Sequence, residues 1–120
     1  MALQTSEQLR SKRCRACEGE TDRLSPDQAQ EFLGSLNGWE LTDDARMIRK
    51  QWTMNDFTAG LNFLSRVGDL AEEEGHHPDI HLTGYRNVAI ELSTHAVDGL
   101  SENDFILAAK IDELPVQAKS

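Results

Sequence analysis

The chain has 120 residues, enough for one domain with a hydrophobic core and too few for two. It carries 21 acidic and 12 basic residues, for a formal charge of -9. Binding to nucleic acid or to an anionic membrane surface depends on clustered lysine and arginine, so this charge disfavours both. The first residues lack an unbroken apolar segment, and the longest apolar run, 105–109, is too short to span a membrane. The sequence therefore predicts an acidic single domain in the cytoplasm.

Residues 1–22 are predicted to form a flexible N-terminal leader, because they combine weak periodicity with many charges. Cys14 and Cys17 lie in this leader with two residues between them, a spacing found in redox pairs and in half of a zinc site. A redox pair would follow a strand, and a structural zinc ion needs four ligands. The leader offers neither a strand nor a second cysteine pair, so we expect two reduced thiols and no disulfide framework.

The folded domain is predicted to span residues 23–120, and its elements can be read from capping residues and hydrophobic periodicity. In chain order they are a helix starting at Ser25-Pro26 and stopping at Asn37-Gly38, strands at 39–41 and 47–52, a helix capped by Asn55, strands at 80–82 and 88–93, and a helix opened by Ser101 with Asp104 as its capping partner. This αββαββα order predicts an α+β domain. Its two hairpins are expected to form a four-stranded antiparallel sheet with helices packed on one face.

The middle helix is predicted to bury an apolar side that includes Phe57, Leu61, Phe63 and Val67. The C-terminal end of this helix departs from the usual rules of helix stability, which makes it a candidate functional site. Three consecutive glutamates, residues 72–74, put negative charge where the helix dipole favours cations.

Two histidines follow this helix directly, with one glycine between. Pro78 biases His77 towards extended backbone, so His76 and His77 are expected in a loop that enters a strand. A carboxylate beside a histidine favours the imidazolium form, which suits a general acid working near neutral pH. The alternative is a solvated helix end whose histidines only pack or face water.

A third histidine, His95, follows the last predicted strand in the run Ser93-Thr94-His95. If the last two strands pair antiparallel, the end of one lies beside the start of the other, so the three histidines meet at one end of the sheet. Three histidines can also form a metal site. Neighbouring side chains in extended backbone point opposite ways, however, so His76 and His77 are poorly placed to bind one ion. We expect no metal here.

Together these residues resemble the signature of the pterin-4a-carbinolamine dehydratase family. The matching motifs are Glu72, His76-His77-Pro78, Tyr85, Ser93-Thr94-His95, Gly99-Leu100-Ser101-Glu102 with Asp104, and the earlier Leu36-x-Gly38-Trp39 and Phe57-x-x-x-Leu61-x-Phe63. The resemblance covers about residues 24–114, and the leader with its two cysteines lies outside it. The connection between His77 and Tyr85 is one residue longer than in animal members of the family.

The resemblance implies an α+β fold, a homodimer or homotetramer, and a hydro-lyase. The implied reaction is dehydration of 4a-hydroxytetrahydrobiopterin, the pterin-4a-carbinolamine left by aromatic amino acid hydroxylases, to quinonoid dihydropterin in tetrahydrobiopterin recycling. No cofactor or metal is implied, because the pterin is the substrate. Animal family members also act as dimerisation partners of a transcription factor. A non-enzymatic binding module and a pterin-handling accessory protein are therefore alternative functions.

The resemblance also assigns roles to residues at matching positions. His77 and His95 would be the acid and base, and His76, the third histidine of the catalytic set, would bind and orient the substrate. The implied substrate-binding set is Gly75, His76, His77, Ser93, Thr94, His95 and Ala96. Glu72 or Glu73, and Asp104, would tune the histidines.

Overall fold

The computed structural model describes residues 6–12, 14, 23–42 and 44–116. In chain order its elements are α1 (Ser6–Arg10), α2 (Pro26–Leu33), β1 (Glu40–Thr42), β2 (Met47–Thr53), α3 (Phe57–Glu74), β3 (Asp79–Thr83), β4 (Asn87–Leu92), a 3₁₀ turn (His95–Val97) and α4 (Glu102–Ile111). From α2 onward, the helices and strands follow the αββαββα order that the sequence predicts.

The four strands form one antiparallel sheet in the order β1-β2-β4-β3. The two hairpins join through β2 and β4, where Lys50 pairs with Ile90. In the second hairpin Asp79 pairs with Glu91, so the start of β3 lies beside the end of β4. The predicted four-stranded antiparallel sheet is confirmed. Its register brings the residues just before β3 close to those just after β4.

The core lies between one face of the sheet and the helices. Ile48 and Ile90 on the sheet, and Phe63 and Phe105 on the helices, belong to one buried cluster and are at most 1% exposed. The opposite face of the sheet carries charged and polar side chains that alternate with the core residues, as strand geometry requires. There Glu91 contacts both Arg49 and His81, one with each carboxylate oxygen. This alternation explains why the helices pack on one face only.

The N-terminus of α3 differs by one residue from the prediction. The cap is Asp56 rather than Asn55, and its Oδ1 accepts a hydrogen bond from the backbone N–H of Ala59 at 2.8 Å. Either side chain is a good helix cap, so the sequence pattern alone does not choose between neighbours. The C-terminus is as predicted, because Gly75 ends the helix in the left-handed conformation with φ 65°.

The buried side of α3 also differs from the prediction. Phe57 and Leu61 are 48% and 46% exposed, whereas the buried line runs through Phe63, Val67 and Ala71. The apolar residues of this helix cover more than half of its circumference, and the sheet can cover only part of that arc. Among the described residues, no helix is both long and apolar enough to cross a membrane.

Part of the predicted flexible leader is folded onto the domain. Helix α1 packs against α4, and Leu9 is fully buried in the core. Arg10 pairs with Glu113 at 2.8 Å on the same side. Residues 6–12 show no periodic pattern in the sequence, because they offer a single apolar anchor among charged residues. Residues 1–5 and 15–22, with Cys17, lie outside the described residues, and the domain boundary near residue 22 stays a prediction.

Candidate active site

A cavity of about 510 Å³ opens at the end of the sheet where β3 begins and β4 ends. It is lined by Cys14, Glu74, Gly75, His76, His77, Ser93, Thr94, His95, Ala96 and Asn103. All seven residues predicted to bind substrate therefore lie around one cavity. The register of the second hairpin explains this meeting, because 75–77 enter β3 and 93–96 leave β4 at the same end of the sheet.

Backbone conformation shapes both sides of the cavity. On one side, the left-handed Gly75 ends α3 and turns the chain, and the N–H of His76 donates to Ala71 O at 3.2 Å. A glycine takes this conformation without the steric cost that a side chain brings. On the other side, the N–H of Thr94 donates to Gly99 O at 2.7 Å and closes the loop that carries His95. Both histidine-bearing loops are thus fixed by main-chain hydrogen bonds.

His76 is held by a buried carboxylate. Its side chain is 12% exposed, and its Nε2 lies 2.6 Å from Oδ1 of Asp104, whose side chain is fully buried. The other oxygen, Oδ2, accepts hydrogen bonds from Thr94 Oγ1 at 2.7 Å and from the Ser101 N–H at 3.0 Å. Because Asp104 accepts from all three groups, we infer that the proton of His76 resides on Nε2. The ring is thereby fixed in orientation and in tautomer.

The same carboxylate also caps α4. Ser101 and Asp104 form a capping box, as the sequence predicts, and Ser101 Oγ accepts from the Asn103 N–H. Thr94 gives its one proton to Asp104, so Ser101 Oγ donates the 2.7 Å hydrogen bond between the two hydroxyl groups. A carboxylate in the first turn is also favoured by the helix dipole. Folding of α4 and placement of His76 are therefore coupled through Asp104.

His77 has a very different partner. Its Nε2 lies 2.5 Å from Glu72 Oε2, and the two side chains are 62% and 77% exposed. Water screens such a pair, so it adds little to stability. Glu73 is exposed on the same turn and lies outside the cavity lining. Of the two glutamates predicted as alternatives, Glu72 is the one that contacts His77.

His95 begins the 3₁₀ turn and is exposed at the cavity mouth. Within the described ranges, no hydrogen bond or ion pair engages its ring. It also lines a neighbouring hollow of about 150 Å³ together with Arg46 and Asp98. His95 is therefore open to a ligand from two sides. Across those same ranges, no group of three or more histidine, cysteine or acidic side chains is arranged to hold a metal ion.

The set of site residues predicted from the sequence missed Glu74. Its side chain is fully buried, Oε2 accepts from Lys110 Nζ at 2.8 Å, and Oε1 accepts from the Cys14 N–H at 2.8 Å. A signal was available, because Glu74 follows Val67 and Ala71 at helical spacing and so shares their buried face.

It also missed Cys14, a free thiol that lies in the cavity wall. Its Sγ donates to Asn103 O at 3.6 Å. Burial first, and then the negative charge of Glu74, raise the pKa of this thiol to about 12, while Lys110 acts in the opposite direction. The thiol is therefore neutral at physiological pH. No local pattern in the sequence placed it beside the histidines.

Comparison with known proteins identifies the family of this chain. The family profile described as pterin 4 alpha carbinolamine dehydratase matches residues 22–114, which is most of the chain. The chain belongs to this family. The resemblance first indicated by the His-His-Pro and Ser-Thr-His motifs is thus confirmed.

Similar proteins of this dehydratase family occur in plants and bacteria. The chain is 49% identical over 112 residues to pterin-4-alpha-carbinolamine dehydratase 2, mitochondrial, of Arabidopsis thaliana, covering 91% of this chain and 60% of that one. It is 41% identical over 110 residues to a putative pterin-4-alpha-carbinolamine dehydratase of Methylococcus capsulatus, covering 92% and 96%. The chain thus spans about three-fifths of the plant relative and nearly all of the bacterial one.

Two solved structures share the fold. One is the transcriptional coactivator/pterin dehydratase of Brucella melitensis, with a TM-score of 0.70, 30% identity, and coverage of 75% of this chain and 95% of that chain. The other is a pterin dehydratase-like protein described as a RuBisCO assembly factor in the alpha-carboxysome, with a TM-score of 0.54, 27% identity, and coverage of 63% and 87%. Of these two similar structures, one is thus described as a coactivator and the other as an assembly factor.

Proposed function

We propose that this chain converts 4a-hydroxytetrahydrobiopterin, a pterin-4a-carbinolamine, to quinonoid dihydropterin and water, in the tetrahydrobiopterin recycling that serves aromatic amino acid hydroxylation. The observation that carries the proposal is the meeting of His76, His77 and His95 around one cavity in a chain of this family. The dehydratase names of the plant and bacterial relatives support the same reaction.

The reaction is an elimination without a change in oxidation state. The C4a–O bond breaks, and the oxygen leaves as water after it receives a proton from a general acid. A general base removes the proton from N5, and the N5=C4a double bond forms. Each step needs a proton donor or acceptor that works near neutral pH, which is the range in which histidine titrates.

The environments of the histidines support a division of roles. His77 contacts the Glu72 carboxylate, which orients its ring, and its solvent-exposed position suits the general acid. His95 is exposed at the cavity mouth and suits the general base. His76 is fixed by Asp104 and suits binding and orientation of the pterin. General acid–base catalysis is typically worth about 10²–10⁴-fold in rate.

The proposed reaction requires neither a metal nor an organic cofactor, because the histidines transfer the protons and the pterin is the substrate.

We also propose a homodimer or homotetramer. Phe57 and Leu61 on α3 and Ile80 on the edge strand β3 are each close to half exposed, which supports contact with another copy of the chain. The net charge of -9 disfavours binding to nucleic acid or to an anionic membrane. A cytoplasmic location stays a prediction.

The second candidate is a protein-binding function without catalysis. It is favoured by the two similar structures, of which one is described as a transcriptional coactivator/pterin dehydratase and the other as a RuBisCO assembly factor. In that case the three histidines would have no role in proton transfer. The two functions therefore differ in what a histidine substitution does to pterin turnover.

The test is stopped-flow absorbance of 4a-hydroxytetrahydrobiopterin decay with the full chain. The wild type should accelerate the decay, and His77→Ala and His95→Ala should each lose most of that acceleration. His81→Ala is the matched control, because His81 is an exposed histidine on the polar face of the sheet, away from the cavity. Folded wild type that leaves the decay rate unchanged would contradict the dehydratase and favour the binding function.

A further inference from the structure

Cys14, from the N-terminal part of the chain, forms part of the cavity wall. Cys14 lies beside Gly75, His76 and Asn103 in the lining, although it is 60 residues from Glu74 in the sequence. Helix α1 anchors this segment to α4 through the fully buried Leu9. Cys14 therefore adds to the cavity a lining residue that the two histidine loops do not supply.

Glu74 connects this wall to the helix that leads into the histidines. One carboxylate oxygen accepts from the Cys14 backbone N–H at 2.8 Å, and the other accepts from Lys110 Nζ at 2.8 Å. The Glu74 side chain is fully buried and Lys110 is 15% exposed, so little water competes for these hydrogen bonds. Glu74 thus joins α3, α4 and the N-terminal segment at the residue before Gly75.

The chemistry of the thiol excludes a nucleophilic role. The nucleophile of a cysteine is the thiolate, and here burial and the charge of Glu74 hold the thiol in its neutral form. A neutral thiol is small and weakly polar, so it suits van der Waals contact with an uncharged part of a ligand. Its Sγ–H donates to Asn103 O, which fixes the side chain in the wall.

We propose that Cys14 contacts the bound pterin and contributes to its affinity, and that Glu74 is a positioning residue that holds Cys14 in the cavity wall. This inference rests on the proposed function, because the ligand it names is the substrate of that reaction. The contact lies outside the proton transfers, so it affects KM rather than kcat.

The first experiment measures protection of the thiol. The chain has two cysteines, so Cys17→Ser leaves Cys14 as the one alkylation site. Alkylation by iodoacetamide is followed by intact mass at pH 9, where a thiol with a pKa of about 12 still supplies a small thiolate fraction and reacts slowly. The reaction is run with and without 7,8-dihydrobiopterin, which lacks the 4a-hydroxyl group and cannot be dehydrated. At about ten times its dissociation constant, the pterin should slow alkylation about tenfold, because only the free protein reacts.

The second experiment separates KM from kcat in the full chain. Cys14→Leu adds volume to the wall and should raise KM about tenfold, with kcat within about twofold of wild type. Glu74→Gln places an amide N–H₂ against Lys110, loosens the wall and should also raise KM with little change in kcat. Asp69→Asn is its matched control, since it makes the same charge change at an exposed position of α3. If Glu74→Gln fails to fold, Cys14→Leu and the protection experiment still test the contact between Cys14 and the pterin.

The outcomes separate this inference from the proposed function. The inference alone is overturned if the wild type dehydrates the carbinolamine but the pterin leaves the Cys14 thiol unprotected. It is also overturned if the wild type is active and Cys14→Leu leaves KM unchanged. Wild type that neither binds the pterin nor dehydrates the carbinolamine overturns both. Protection together with a raised KM and a retained kcat supports the substrate contact.

Discussion

Two histidines that are neighbours in sequence occupy opposite environments in this fold. His76 points to the fully buried Asp104 at the start of α4, and His77 points to Glu72 on the exposed last turn of α3. Pro78 keeps this stretch extended, and side chains of neighbouring residues then project to opposite sides. One short segment therefore supplies a fixed histidine and a solvent-exposed one.

The difference teaches how one type of contact, a histidine against a carboxylate, can serve two purposes. An exposed pair contributes about 0–1 kcal/mol to stability, whereas removing one partner of a buried pair costs about 3–5 kcal/mol. The His76–Asp104 pair is therefore part of the fold, and it fixes one wall of the cavity. The His77–Glu72 pair is nearly independent of the fold, so its proton can exchange with a substrate.

The largest effect is expected at Asp104. Asp104→Ala removes the acceptor of three hydrogen bonds, including the Ser101 N–H bond of the α4 capping box, so the free energy of unfolding should fall by about 3 kcal/mol. Urea denaturation measures this change, and Asp69→Asn, an exposed acid on α3, is the control. A loss below about 1 kcal/mol would show that the buried network does not hold the fold.

A smaller effect is expected at Thr94, which supplies one of those hydrogen bonds. Thr94→Val keeps the shape of the side chain but removes the Oγ1–H that donates to Asp104 Oδ2. The carboxylate is then left short of a donor in a buried site, and the free energy of unfolding should fall by about 1–2 kcal/mol. Thr53→Val, at an exposed position of β2, should change it by less than about 0.5 kcal/mol.

Cys14 is expected to affect stability only at high pH. Its pKa rises from 9.0 in the unfolded chain to about 12 in the folded one. The folded state therefore holds the proton more tightly, and this contribution is complete below pH 9 and is lost as the pH rises through 12. Between pH 7 and pH 9.5 it should lower the free energy of unfolding by less than about 1 kcal/mol. Urea denaturation of Cys14→Ala should lack this part of the decline; identical pH profiles for variant and wild type would contradict the shift.

The smallest effect on stability is expected at Glu72. Because the Glu72–His77 pair is mostly exposed, Glu72→Gln should change the free energy of unfolding by less than about 0.5 kcal/mol. It should nonetheless lower the dehydration rate, by less than about tenfold, because His77 itself remains. Urea denaturation and stopped-flow decay give the two numbers. A destabilisation as large as that of Asp104→Ala would remove the distinction between the two pairs.

The sequence predicted those parts of the fold that depend on local rules. The capping box of Ser101 and Asp104, the glycine stop at Gly75 and the two hairpins all follow from short patterns, and all are present. The gathering of the histidines followed from antiparallel pairing alone. Their roles came from the family resemblance and stay proposals.

What the sequence did not predict depends on contacts between distant segments. Leu9 and Cys14 lie in a charged stretch, and only packing against α4 and Glu74 reveals where they belong. Glu74 is one of three consecutive glutamates, and only the packing of the helix shows that it alone is buried. Phe57 and Leu61 illustrate the reverse case, since their apolar pattern predicts burial but the sheet covers the adjacent arc of α3.

The most direct test compares the two neighbouring histidines at saturating 4a-hydroxytetrahydrobiopterin. His77→Ala should lower kcat by about 10²-fold or more and leave urea denaturation unchanged, because the exposed ring transfers a proton but supports no packing. His76→Ala should instead raise KM and lower the free energy of unfolding, because the fixed ring orients the substrate and satisfies Asp104. A His77→Ala variant that keeps the wild-type kcat would contradict the account.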